Sequence, residues 1–159
     1  TKIAHVHTAG NSPAMCDAAA VLLVGSKMLA SDQGLTPKVR IVDSVTCCGE
    51  PLEVVSGCVA ATKAILSRNK LRPSDVDVFE IHEAFAATIV KLQRELKIDS
   101  ARLNINGGCI ALGHPMGATG AIMAGTAIDE LMRCDGSIGI IAASGAAGSG
   151  SALLVERCY

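Results

Sequence analysis

The order of apolar and polar positions divides the 159-residue chain into alternating strand-like and helix-like stretches. Residues 18–24, AAAVLLV, form a continuous apolar run of strand length. Gly25-Ser26 then offers a turn and an N-cap, residues 27–33 suit a short helix, and Gly34 suits its stop. Pro37 precedes residues 39–45, whose valines and isoleucine predict a strand. A loop around Gly49 and Pro51 leads to residues 59–68, where Val59, Ile65 and Leu66 stand among alanines as in a helix. Pro73-Ser74-Asp75 punctuates the next transition, and residues 76–81 read as a strand. Phe85, Ile89, Leu92 and Leu96 recur at helical spacing, with Lys91, Arg94, Glu95 and Lys97 on the outer face. Residues 103–106 suit a brief strand before the glycine-rich stretch 107–120. A third helix over 118–132 buries Ala121, Ala124, Ile128 and Leu131, and residues 137–143 and 151–156 close the chain as two apolar strands.

Alternation of this kind implies right-handed crossovers and a mostly parallel sheet with helices on its faces. The last two strands, joined by a short loop of Ser, Gly and Ala, are expected to be antiparallel. In such sheets ligands gather at loops beyond the carboxyl ends of strands. Three loops qualify: after Ile81, after Asn106 and after Ala143.

Composition narrows the function classes. Half the residues are hydrophobic but only 2% are aromatic, so the core is built from small aliphatic side chains that let helices lie close to a sheet. A net charge of −1, with no Lys/Arg-rich run, argues against nucleic acid or an anionic membrane as partner. The run 18–24 is far shorter than the roughly 20 residues of a membrane span. The first residues lack a signal-peptide pattern, and an intracellular, cytoplasmic location is expected. Seven cysteines, at 16, 47, 48, 58, 109, 134 and 158, show no repeated spacing and no CxxC. They read as small buried hydrophobes in a reducing compartment rather than as a disulfide framework or a zinc site.

The three loops carry the candidate chemistry. His82 and Glu83 fall where a strand hands over to the amphipathic helix. Taken alone they are equally a cap-region residue and a first-turn acid. The second loop, residues 104–120, has five glycines in its last fourteen residues, with Pro115 placed as the first residue of the following helix. His114 then lies beside a helix N-terminus, which favours a neutral imidazole able to take a proton from a thiol or donate to an oxyanion. A phosphate cradle is the competing use of such a loop, but its spacing fits neither GxGxxG nor a P-loop. In the third loop, Ser144-Gly145-Ala146-Ala147-Gly148-Ser149-Gly150, side chains this small leave backbone N–H groups unshielded. An oxyanion hole needs that, and so does a plain tight hairpin.

Together, HEAFA at 82–86, NGGCIALGHPMGATGA at 106–121 and SGAAGSGSALLVE at 144–156 resemble, in order, three motif blocks of thiolases. TAGNSPAMCDAAA at 8–20 resembles a fourth block, which ends the N-terminal half of those enzymes. His82, where many thiolases have asparagine, is similar to the fatty-acid β-oxidation type of trifunctional complexes. The resemblance implies an α/β thiolase-like half, a five-stranded mixed sheet with helices on both faces. Residues 1–35 would end the N-terminal half, and 36–159 would form the C-terminal domain. It implies thiolytic cleavage or Claisen condensation of 3-ketoacyl-CoA, with coenzyme A as substrate and no other cofactor or metal. The partners implied are a cysteine-bearing N-terminal half and further copies in an oligomer, with apolar surface exposed where that half is lacking.

Carried over by motif, His114 activates the nucleophilic cysteine and donates to a thioester oxygen, and His82 holds the water that completes that oxyanion hole. Gly145 and Ala146 supply backbone to a second hole, and Phe85 contacts substrate. Two departures stand out. None of the seven cysteines lies in the nucleophile's context, and Ser144 stands where the family places its second catalytic cysteine. A hydroxyl is a far weaker acid than a thiol of pKa ~8.5. The pattern therefore leaves room for other CoA-thioester chemistry, such as retro-aldol cleavage, or for a non-catalytic binding or scaffold subunit. Pro13 also replaces a CoA-contacting serine of many thiolases.

Overall fold

A computed structural model describes residues 4–159. Among these residues nine helices and strands follow one another, in the expected alternation only as far as α3: α1 (Lys27–Asp32), β1 (Val39–Cys48), α2 (Gly57–Arg68), β2 (Val78–Ile81), α3 (Ala86–Leu96), α4 (Cys109–Leu112), α5 (Thr119–Arg133), β3 (Ile138–Ser144) and β4 (Ser149–Arg157). The small helix α1 has the ends its sequence predicts. The Ser26 hydroxyl accepts the Leu29 N–H, and Gly34 adopts φ +64° after the last turn.

The sheet order is β1-β4-β3-β2. β2 and β3 pair in parallel, and β4 runs antiparallel to both β3 and β1. The sheet is mixed, as the resemblance implies, with one parallel pair rather than a mostly parallel set. Among the described residues it has four strands and not five. The apolar run 18–24 is extended but joins no strand, and Leu103 makes a single bridge to Phe79 in place of a strand.

Alternate side chains of each strand enter two cores. Phe79, Ile81, Ile140, Ala142, Ala152 and Leu154 meet Ile65 and Leu66 of α2 and Leu92 of α3 on one face. Val78, Ile141 and Val155 meet Met123, Ala127 and Leu131 of α5 on the other. This places helices on both faces, and the β2–β3 carboxyl ends open at the rim where both helical layers begin. At β4 the fit with α2 is too close for any side chain: a Cβ on Gly57 would lie 2.0 Å from the Ser149 carbonyl oxygen.

Of the seven cysteines only Cys58 and Cys109 are buried, and Cys16, Cys48 and Cys134 are exposed, against the reading of all of them as buried hydrophobes. Three further local expectations are corrected. α3 begins at Ala86 rather than at 82–83, because Phe85 is extended (φ −154°, ψ 158°). Pro115 does not open α5. Met116 turns left-handed (φ 44°), which breaks a direct run into α-helix, and a 3-10 turn over Met116–Ala118 precedes Thr119. The apolar residues of 18–24 are largely exposed, Val21 at 93% and Leu23 at 81%. No helix among the described residues is long and apolar enough to cross a membrane.

Candidate active site

His82 follows β2 directly, its N–H donating to the Ala142 carbonyl of β3 at 2.8 Å. The strand end beneath it is held by Asn104, a residue the sequence patterns did not single out. The Asn104 amide accepts from the Ile81 N–H (2.8 Å) and donates to the Ile81 carbonyl (3.0 Å), so one side chain acts as a missing strand neighbour. The same amide donates to Glu83 at 3.1 Å, and the other Glu83 oxygen accepts the Ile110 N–H at 2.9 Å. Glu83 is thus no first-turn acid of α3. It ties the HEAFA loop to the start of α4. Gly108 permits this, since a Cβ there would lie 2.2 Å from the Glu83 carboxyl carbon.

His114 arrives from the other side. Its N–H donates to the Ala14 carbonyl at 2.8 Å, in a parallel bridge with Met15, and its Nδ1 pairs with the Thr119 hydroxyl at 2.8 Å. The Thr119 contact orients the ring from the first residue of α5. His82 and His114 meet with ring centroids 4.5 Å apart, tilted by 40°. Cys109, at the start of α4, brings its sulfur within 4.8 Å of a ring nitrogen of each. Phe85, three residues beyond His82, packs against the ring of His7, centroids 4.4 Å apart.

The electrostatics favour neutral groups. His82 is only 6% exposed, and neither ring nitrogen makes a well-formed hydrogen bond among the described residues, the Ser144 backbone making only a loose approach. Burial, and then the neighbouring His114, hold its pKa below the usual imidazole range, with the Ser144 backbone and Glu83 opposing. Burial likewise raises the Cys109 thiol. Glu80 lines a cavity of about 80 Å³ together with Cys109, Gly108, Gly113 and Thr119. Its carboxyl is pushed up to about 8, by burial first and then by Glu83 and Glu130.

The third loop is closed more tightly than its composition suggests. The Gly145 N–H is donated to the Ser149 carbonyl at 2.8 Å, so that amide is used by the turn. Ala146, which opens the 3-10 turn Ala146–Gly148, has no backbone hydrogen bond from its N–H among the described residues. The Ser144 hydroxyl turns toward the α2 face and accepts the Cys58 N–H at 2.9 Å, in the first turn of that helix. The structure therefore brings His82, His114 and the Ser144 backbone together, sets Phe85 against His7, and leads the Ser144 hydroxyl away to α2. Cys109, Asn104 and Thr119 were missed because their roles depend on contacts across loops. Only the position of Cys109 inside the glycine block hinted at more.

A mixed sheet between two helical layers, with two imidazoles from separate crossover loops at its rim, places the chain among layered α/β proteins whose site is built at the strand ends. The profile of "Thiolase, C-terminal domain" matches residues 35–157. The chain belongs to the thiolase family, within its C-terminal domain. It is 43% identical over 154 residues to the 3-oxoadipyl-CoA/3-oxo-5,6-dehydrosuberyl-CoA thiolase of Escherichia coli, covering 96% of this chain and 38% of that protein. It is 38% identical over 150 residues to an acetyl-CoA acetyltransferase of Cupriavidus necator, covering 94% of this chain and 38% of the relative. The crystal structure of the Bacillus anthracis acetyl-CoA acetyltransferase superposes with a TM-score of 0.87 at 35% identity, over 95% of this chain and 38% of that one. The chain thus spans 38% of the length of these relatives.

Proposed function

We propose that this chain is the C-terminal portion of an acyl-CoA:acetyl-CoA C-acyltransferase, acting in thiolysis or Claisen condensation of 3-ketoacyl-CoA, with coenzyme A as substrate and no other cofactor. The observation that carries this reading is the contact of His82 and His114, 4.5 Å apart at the carboxyl rim of the sheet. His114, oriented through Nδ1 by Thr119, keeps Nε2 for a nucleophilic cysteine of an N-terminal half, on the same chain or a partner. His82, buried and biased toward the neutral form, positions the donor that completes an oxyanion hole. The Ala146 N–H serves a second hole, within the turn that Gly145 closes, and Phe85 contacts the acyl-CoA. Residues 1–35 are read as the end of the preceding half and 36–159 as the C-terminal domain. The exposed side chains of Val21, Leu23, Val24 and Met28 suit burial against that half or in an oligomer.

Ser144 favours a second reading. Its hydroxyl is engaged by the Cys58 N–H and is a weak acid, which suits a CoA-thioester reaction without a second thiol, such as retro-aldol cleavage, or a binding subunit. The deciding experiment supplies the chain with a cysteine-bearing thiolase N-terminal half and follows thiolysis of acetoacetyl-CoA. The expected result is turnover that falls by about 10²–10⁴-fold in His114→Ala and rises in Ser144→Cys. Turnover indifferent to His114→Ala overturns the assignment.

A further inference from the structure

The sequence offers no CxxC, and cysteine spacing alone argues against a metal site. Folding changes that picture, because the donors come from different loops. His82 ends β2, Cys109 starts α4, and His114 precedes the 3-10 turn to α5. One nitrogen of each imidazole and the Cys109 sulfur lie within 4.8 Å of one another. We propose that His82, Cys109 and His114 form a binding site for a thiophilic divalent cation of the zinc class, with three protein ligands and a fourth position for water or a thiol.

Three further observations point to a ligand at this place. His82 is only 6% exposed, and apart from a loose approach to the Ser144 backbone neither ring nitrogen is hydrogen-bonded among the described residues. Buried polar atoms are almost always paired, and a cation bound by one of them resolves the discrepancy. His114 is already fixed through Nδ1 by Thr119, which leaves Nε2 as the ligating nitrogen. An outer partner that sets ring orientation in this way is a regular companion of metal-binding imidazoles. The carboxylate of Glu83, bonded to Ile110 next to Cys109, adds negative charge behind the cluster.

The donor set is chemically apt. Two imidazoles and one thiol match zinc or cobalt rather than magnesium or calcium, which take oxygen ligands. Bonds of about 2.0–2.1 Å to nitrogen and about 2.3 Å to sulfur put tetrahedral ligands nearer together than the present spacing. A closure of about 1 Å is needed, within reach of side-chain rotation at Cys109 and His114. On binding, the Cys109 thiol gives its proton to the buffer and the sulfur becomes the ligand. A cation held there takes both imidazoles out of proton transfer, so the site would act as an off-switch on whatever chemistry they perform. The proposal does not depend on the acyltransferase reading.

The test is binding by this chain, with its surface thiols Cys16, Cys48 and Cys134 replaced by serine to remove adventitious sites. Zinc competition against a chromophoric chelator should give one ion per chain. Cobalt should give a thiolate charge-transfer band and tetrahedral d–d bands. Cys109→Ser should weaken binding by more than about 10-fold and abolish the charge-transfer band, and Thr119→Val should weaken it by about 10-fold while keeping the band. Far-ultraviolet circular dichroism identifies the folded variants, and His114→Asn serves in place of Cys109→Ser if that variant fails to fold. A folded parent that binds no cobalt overturns the proposal, as does a charge-transfer band that survives Cys109→Ser.

Discussion

Two apolar stretches of this chain end in opposite environments, and the more apolar one is the one left outside. Residues 138–144, IGIIAAS, form β3 at the centre of the sheet, with Ile140, Ile141 and Ala142 buried between the two helical layers. Residues 18–24, AAAVLLV, run extended along the outside, with Val21, Leu23 and Val24 exposed. Periodicity cannot separate them. What separates them is company: β3 pairs with β2 on one side and β4 on the other, and receives α2 and α5 on its faces. A strand-like run is a statement about what a segment can bury, and the neighbours decide whether it does so. β2 shows the converse case. Glu80 is only 3% exposed and pairs in register with Ile141, a carboxyl held where an apolar residue would be expected.

The largest way to break the contrast is Ile140→Ala. A fully buried side chain between β2 and β4 is lost, and a cost of about 2–5 kcal/mol is expected in urea unfolding. A cost below about 1 kcal/mol, the level of a tolerated core swap, would mean that β3 is not the packed centre.

Glu80→Gln comes next, and its effect depends on pH. Below 4.5, the ordinary glutamate value, the carboxyl is protonated in folded and unfolded chains alike. As pH rises toward the folded value of about 8, only the unfolded chain ionises, so wild-type stability declines through that window and then levels off. Glutamine has no such slope. The variant should match the wild type near the lower end and exceed it by a few kcal/mol at the upper, read from urea midpoints at both ends. Parallel stability profiles would contradict a buried neutral carboxyl.

The smallest effect belongs to the outside run. Leu23→Ser should change unfolding stability by less than about 0.5 kcal/mol, since 81% of Leu23 already meets water. It should nevertheless lower self-association measured by light scattering. Equal association in both forms would remove the case for that surface as a docking face.

The same contrast explains how far the sequence could be read. Strands and helices with a periodic face, such as α3 and β4, were legible because burial repeats at fixed spacing. His82 and His114 were legible through their motif blocks, and their meeting followed from the loop rule for α/β sheets. The 18–24 run failed because nothing local marks the absence of a neighbour. Asn104 failed for the opposite reason: its partners, Ile81 and Glu83, lie more than twenty positions away, with separations of 23 and 21. The Gly145 amide looked available in a row of small residues, and only the turn geometry shows that Ser149 takes it. Starts of helices beside the site were misplaced by a few residues because Phe85 and Met116 adopt backbone angles their residue types do not announce.

The Asn104 clamp has a consequence for motion. Because the Ile81 amide is donated to a side chain and not to an adjoining strand, its deuterium uptake times a single event, the lifting of the 104–110 loop. When that loop lifts, Glu83 loses its bonds to both Asn104 and Ile110, and the residue next to His82 is set free. Exchange at that one proton would thus serve as a clock for how often the rim comes apart.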